Sequence, residues 1–235
     1  MKKILAVILA RAGSKGLKNK NLRKLGNKPL VSWSIDEAKK SKKIDTILLS
    51  TDSTKIAKIG KRKKINVPFL RPKNLSEDKT PSVDALEHTI NFLKDRGKKF
   101  DYIVLLEPTS PFRSYKDIDN SLSKLIRSNA CSLVSICKTD SLNPLFLFKK
   151  RKEFLVPIKK TKKKYLRRQD VEPTYFLEGS IYISKISTLL KQRTFCHNDT
   201  IGYEVPKWKS IEIDDILDLE LAKIILKNKK LRKSA

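Results

Sequence analysis

Acidic residues, cysteine, histidine and long apolar runs are all scarce in this chain, and each shortage excludes something. With 25 Asp and Glu against 53 Lys and Arg, the 235 residues carry a formal net charge of +28. Such an excess ordinarily points to nucleic acid, because clustered cations neutralise phosphates and release counterions. Here the distribution argues against it. Lysines number 41 and arginines only 12, whereas base readers rely on the planar arginine fork. No aromatic residues alternate with the basic ones to stack bases, and no RNA- or DNA-binding signature interrupts the chain. The one real concentration of cations lies at 149–168.

Cys131, Cys137 and Cys196 are odd in number and lack any CxxC or His/Cys ligand spacing, which argues against both a disulfide framework and a zinc site. They are expected to be small buried residues. The only histidines are His88 and His197; His88 falls on an expected helix face, and no histidine base is called for. No stretch approaches the roughly 18 uninterrupted apolar residues of a membrane span. The apolar start at 4–9 gives way to a polar loop too soon for a secretory signal, so a cytoplasmic location is expected.

What the chain does have is enough apolar content, 39%, to bury a core in one domain. Residues 4–9, ILAVIL, read as a strand covered on both faces. They empty directly into ARAGSKGLKNKNL. In that loop Gly13 and Gly16 are expected to take positive φ and let backbone N–H groups approach an anion, with Ser14 between them and Arg11 and Lys15 supplying charge. This is a candidate nucleotide cradle. It does not match G-x-x-x-x-G-K-[ST], which speaks against an ordinary ATPase.

Periodicity predicts further strands at 46–50, 67–70, 102–106 and 132–136, and helices at 30–40, 54–63, 82–94 and 115–127. Alternating strands and helices imply βαβ units and a mostly parallel sheet with helices on both faces, so ligands belong at the carboxyl ends of the strands. After Thr139 the pattern changes to short apolar runs between basic clusters. Residues 139–176 therefore read as an inserted β-rich arm that needs a partner surface, most simply a second copy of the chain. The core, 1–138 and 177–235, resumes with a strand at 179–184 and closes with a helix at 216–226.

Each strand end carries polar residues that packing alone does not require. Asp52 and Ser53 are expected as helix N-caps, and Ser82 as a good one. Arg71 beside a hydroxyl-rich turn could read a nucleobase edge. In 106–113, LEPTSPFR, two prolines present Glu107, Thr109, Ser110 and Arg113 rigidly. Glu212 and Asp214 sit two apart, so on an extended segment both carboxylates share one face with Ile211 and Ile213 on the other. Such a pair suits Mg²⁺, the reading preferred because the phosphate loop gives the ion something to bridge; Asp214 and Asp215 are also well placed to cap the next helix.

The segments ILARAGSKGLKNKNL, STDS, RPKNLSEDKTPSVDALEH, LLEPTSPFR, RRQDVEPTYFLEGSIY and SIEIDDILDLELA together resemble the acylneuraminate cytidylyltransferases, including the legionaminate and pseudaminate enzymes. The resemblance implies a three-layer, Rossmann-like nucleotidyltransferase fold with a protruding dimerisation arm, hence a homodimer. It also implies a Mg²⁺-dependent reaction of CTP with an acidic nine-carbon α-keto sugar, giving the CMP-sugar and pyrophosphate. Carried over residue by residue, Arg11, Gly13, Ser14, Lys15 and Asn21 correspond to nucleotide-binding positions, and Arg71 and Ser82 to cytosine contacts. Glu107, Thr109, Ser110, Arg113, Arg168 and Gln169 fall on the sugar side, Glu212 and Asp214 on the metal, and Arg11, Lys15 and Asp214 carry the chemistry. An arm-surface role for Arg167 and Arg168 remains open.

Three residues depart from the family pattern. Glu107 stands where many relatives have Gln, Glu178 where Asn is common, and Glu212 where Asp is usual. Each of the first two adds acid to a site meant for an anionic sugar. An eight-carbon 3-deoxy-manno-octulosonate enzyme, or a weakly active relative binding polyanions, are the alternatives.

Overall fold

The structure, a computed structural model, describes residues 2–139, 142–161, 167, 169, 171–228 and 230–232. Its centre is a six-stranded sheet of β1 (Ile4–Leu9), β4 (Thr46–Ser50), β5 (Tyr102–Leu105), β6 (Ser132–Thr139), β9 (Thr174–Lys185) and β10 (Thr200–Glu204), in the order β10-β6-β9-β5-β1-β4. All pairings are parallel except those of β9, which runs antiparallel to both β5 and β6. Two short strands, β2 (Lys24–Leu25) and β3 (Lys28–Pro29), pair beside the sheet.

The apolar run of β1 is buried on both sides for the reason its sequence suggests. Ile4, Ala6 and Ile8 face α1 (Leu30–Lys40), α2 (Thr54–Arg62) and α4 (Tyr115–Ser128), through Ile35, Ile56 and Ile118. The intervening Leu5, Val7 and Leu9 face α3 (Ser82–Lys94) and α5 (Ile186–Gln192), through Leu86, Ile90 and Leu189. Each fully buried Leu or Ile there contributes about 1.5–3 kcal/mol over leaving it in water. A third cluster of Leu17, Leu25, Phe112, Ile213 and Leu219 fastens α6 (Ile216–Lys227) and the segment before it to the site end of the sheet.

Several local expectations need correction. Residues 67–70 form no strand; a single bridge, Leu48 to Asn66, is all the pairing there. Pro68 lacks an N–H to donate, which blocks a ladder. Ser53 caps α2, accepting from Ile56 N, but Asp52 instead accepts from Ala12 N at 2.8 Å and so ties the β4 end to the loop after β1. Ser82 is the first residue of α3 rather than its cap. Asp215, not Asp214, caps α6, in a reciprocal box with Asp218. Gly13 and Gly16 do not adopt positive φ. All three cysteines are free, but only Cys137 is buried; Cys131 is half-buried and Cys196 exposed.

The region between β6 and β9 holds a hairpin of β7 (Phe148–Arg151) and β8 (Phe154–Pro157), with no residue of either strand buried. Phe154 and Leu155 are 76% and 65% exposed. No helix among the described residues is long and apolar enough to cross a membrane.

Candidate active site

At the carboxyl ends of β1 and β5 lies a cleft of about 540 Å³. Of the residues singled out from sequence, Arg11, Ser14, Lys15, Asn21, Arg71, Ser82, Glu107, Thr109, Glu212 and Asp214 all line it. Gly13 lines a shallower depression beside it, with Arg11, Lys15 and Asp78. Ser110 and Arg113 are buried and do not reach the cleft lining. Gln169 is exposed and does not line the cleft, and Arg168 lies outside the described residues.

One wall is the loop after β1. The Nδ2 of Asn21 donates to the carbonyl of Arg11 at 2.9 Å, bracing the loop from inside. Gly16 serves close packing: a Cβ there would meet the carbonyl oxygen of Asp214 at 2.5 Å. The loop and the carboxylate segment are therefore in contact, and only glycine permits it. Sequence reasoning missed Asp78, which pairs with Arg11 and, at 3.3 Å, with Lys15. It also missed Lys20, whose Nζ donates to Asp214 Oδ1 at 2.7 Å. Both pairings join residues far apart in the chain, so no local spacing announces them. The hydrogen bond from Arg11, and then that from Lys15, hold Asp78 below the usual carboxylate range.

The opposite wall is the loop after β5. Arg113 sits behind it, 3% exposed, with Nη1 donating to the carbonyls of Glu107 at 2.9 Å and Ser110 at 2.6 Å, and Nη2 to Ser34 Oγ at 2.8 Å. This grip, with the two prolines, fixes the direction of the Glu107 and Thr109 side chains. Burial brings Arg113 down to about 10, still charged at neutral pH. Thr109 Oγ1 donates to Glu212 at 3.3 Å, and the Thr109 carbonyl accepts from Ile213 N at 2.9 Å. Although 211–214 is not a strand, the alternation holds: Ile213 is buried while Glu212 and Asp214 face the cleft.

Acid collects on the floor. Burial, reinforced by the charge of Glu212, pushes Glu107 up to about 7. Desolvation by the cleft walls raises Glu212 too, with Asp214 adding to it, although its edge is open to solvent. Glu178 lies in a bulge of β9 where the register with β6 shifts and Gly179 takes φ 79°. Its Oε1 accepts from Ser180, and its buried Oε2 has no partner among the described residues.

The raised Glu107 makes a stability prediction. Its folded value lies above the ordinary 4.5, so the folded protein holds a proton that the unfolded chain gives up, and stability falls as pH rises from about 4.5 through about 7. Glu107→Gln is expected to match the wild type near pH 4.5 and to exceed it by roughly 2–3 kcal/mol at pH 8. Urea unfolding across that range checks it; equal stabilities at pH 8 would contradict it.

The cytidylyltransferase family model matches residues 5–231. The chain belongs to the cytidylyltransferase family. It is 32% identical over 98% of its length to the N-acylneuraminate cytidylyltransferase of Escherichia coli O18:K1:H7, of which it spans only about half, 53%. It is also 31% identical to the CMP-N,N'-diacetyllegionaminic acid synthase of Legionella pneumophila, covering 95% of this chain and 96% of that one. Among solved structures, a CMP:2-keto-3-deoxy-manno-octonic acid synthetase complexed with CTP superposes with a TM-score of 0.71 at 15% identity, covering 96% and 98% of the two chains; that likeness speaks to fold. As a cytidylyltransferase, the protein is a nucleotidyltransferase enzyme.

Proposed function

We propose that this cytidylyltransferase activates a nine-carbon, sialic-acid-like sugar, joining it to CMP from CTP with release of pyrophosphate. One observation carries the reading: a cationic loop wall and a carboxylate pair line a single cleft side by side, in contact at Gly16 and Asp214. Arg11, Lys15 and Lys20 place three cations where the β and γ phosphates would lie. Charge grows there as pyrophosphate departs, so these groups stabilise the transition state more than the ground state. Before substrate binds, Asp78 and Asp214 neutralise them; phosphates would compete for the same cations. Arg71, 6% exposed and anchored by Nε to Ser76 Oγ at 3.1 Å, and Ser82, which lines the cleft from the first turn of α3, suit cytosine edges. The sugar falls to the Glu107 and Thr109 side, its anomeric hydroxyl attacking the α phosphorus.

The donor set fits Mg²⁺. Glu212 and Asp214 offer oxygen to the cleft, and their mutual repulsion is what a divalent cation would relieve. When bound, the ion would neutralise charge on the phosphate oxygens; Glu212 and Asp214 would hold it, with Thr109 orienting Glu212. Free thiols and the use of CTP agree with a cytoplasmic setting.

Relatives acting on nine-carbon acids favour that substrate over the eight-carbon acid named for the solved neighbour, whose likeness is in fold. Pyrophosphate release with CTP and each acid in turn separates them. A higher kcat/KM for the nine-carbon acid is expected; the reverse ranking would move the protein to the octulosonate class.

The exposed apolar hairpin supports a homodimer. Phe154→Ser with Leu155→Ser is expected to weaken association at least tenfold without loss of fold, because neither side chain is buried in the single chain. Sedimentation equilibrium reads it, and a wild-type monomer at micromolar concentration would contradict it.

A further inference from the structure

The cleft does not distribute its charges evenly, and one half-buried carboxyl is left over. Arg11 and Lys15 are matched by Asp78, Lys20 by Asp214, and Glu212 receives the Thr109 hydroxyl. Glu77 has no partner among the described residues either, but it is exposed to solvent; Glu107 is the half-buried exception. Its backbone carbonyl is held by Arg113, which fixes the residue, yet its carboxyl accepts no hydrogen bond from any described residue. It lines the cleft beside Pro108 and Thr109. Once substrate fills the cleft and displaces water, that half-buried carboxyl is satisfied only by what the substrate brings.

We propose that Glu107 is a specificity-determining residue that selects sugars presenting a cationic, N–H-rich nitrogen substituent, an amidine or amine, over those presenting an acyl oxygen at the same place. This rests on the nine-carbon reading above and names the kind of sugar within it. An acetamide turned toward Glu107 with its oxygen sets two acceptors against each other. An acetamidine has the same shape and replaces that oxygen by an NH₂⁺, a charge-assisted donor to the carboxylate. Glutamine at this position would supply one acceptor and two donors and so accommodate the acetamide.

The test uses two nine-carbon acid sugars that differ only in acetamide against acetamidine at one ring or side-chain nitrogen, prepared as pairs at each nitrogen-bearing carbon. With full-length enzyme at pH 8, kcat/KM for pyrophosphate release is expected to favour the acetamidine of at least one pair by about ten- to a hundredfold, the range of a charge-assisted hydrogen bond to a buried group. In Glu107→Gln the ratio for that pair should fall at least tenfold, while KM for CTP moves little. A ratio the same in both enzymes, or a wild-type preference for the acetamide in every pair, overturns the proposal while leaving the nine-carbon reading intact. Turnover of the eight-carbon acid alone overturns both.

Discussion

Lys15→Ala is expected to lower turnover by about two to three orders of magnitude, the loss typical when one preorganised transition-state donor is removed. The structure says why the effect should fall on the reaction and not on the fold. The Lys15 side chain is 78% exposed and its one ion pair among the described residues, to Asp78 at 3.3 Å, is a surface contact; such pairs add little to stability. Its ammonium nonetheless stands at the rim of the cleft, on the wall formed by the loop after β1. Steady-state pyrophosphate release, with thermal unfolding alongside, separates the two roles. An unchanged melting temperature with kcat down at least a hundredfold is expected. Near-wild-type kcat would remove the loop from the chemistry, and a melting temperature lowered by many degrees would make Lys15 a structural residue.

The second large effect concerns the carboxylate pair. Asp214→Ala should lower kcat at least a hundredfold and raise the half-saturating Mg²⁺, whereas Glu212→Asp should be tolerated, since it keeps a carboxylate beside Thr109. Asp214 is not needed as a helix cap, because Asp215 and Asp218 form the capping box of α6. The loss cannot then be assigned to fraying of that helix. Removal of Asp214 also frees Lys20, so Lys20→Ala is the control: it should weaken CTP binding and leave the Mg²⁺ midpoint in place. Titration calorimetry of Mg²⁺ into the enzyme with a non-hydrolysable CTP analogue gives a readout independent of turnover. An unchanged midpoint in Asp214→Ala would show that the metal is held elsewhere.

Much of this was legible in the residues, and the parts that were not share a cause. The buried run 4–9 and the helices at 30–40 and 82–94 could be read because periodicity and burial act along the chain. The region 67–70 misled because an apolar run imitates a strand while Pro68 denies it a ladder. Loop residues that face the cleft were found from residue type at strand ends. Asp78 and Lys20 were not, because each takes its meaning from a partner far away in sequence. Arg113 shows the limit most plainly. Its type and place suggest a substrate contact, yet its two terminal nitrogens donate to the carbonyls of Glu107 and Ser110 and to Ser34, and it does not line the cleft, which makes it a positioning residue in this structure. Nor does Gly16 owe its identity to a special φ; the close approach of Asp214 requires it, which only tertiary packing reveals.

The most direct test of the account is a product analysis of one reaction: purified protein, CTP, Mg²⁺ and N-acetylneuraminate or its acetamidine analogue, followed by ³¹P NMR. The account predicts equimolar pyrophosphate and a single new phosphodiester resonance from a CMP-sugar, with no product when UTP or ATP replaces CTP. Pyrophosphate without sugar dependence, or no consumption of CTP with any nine-carbon acid, would contradict it.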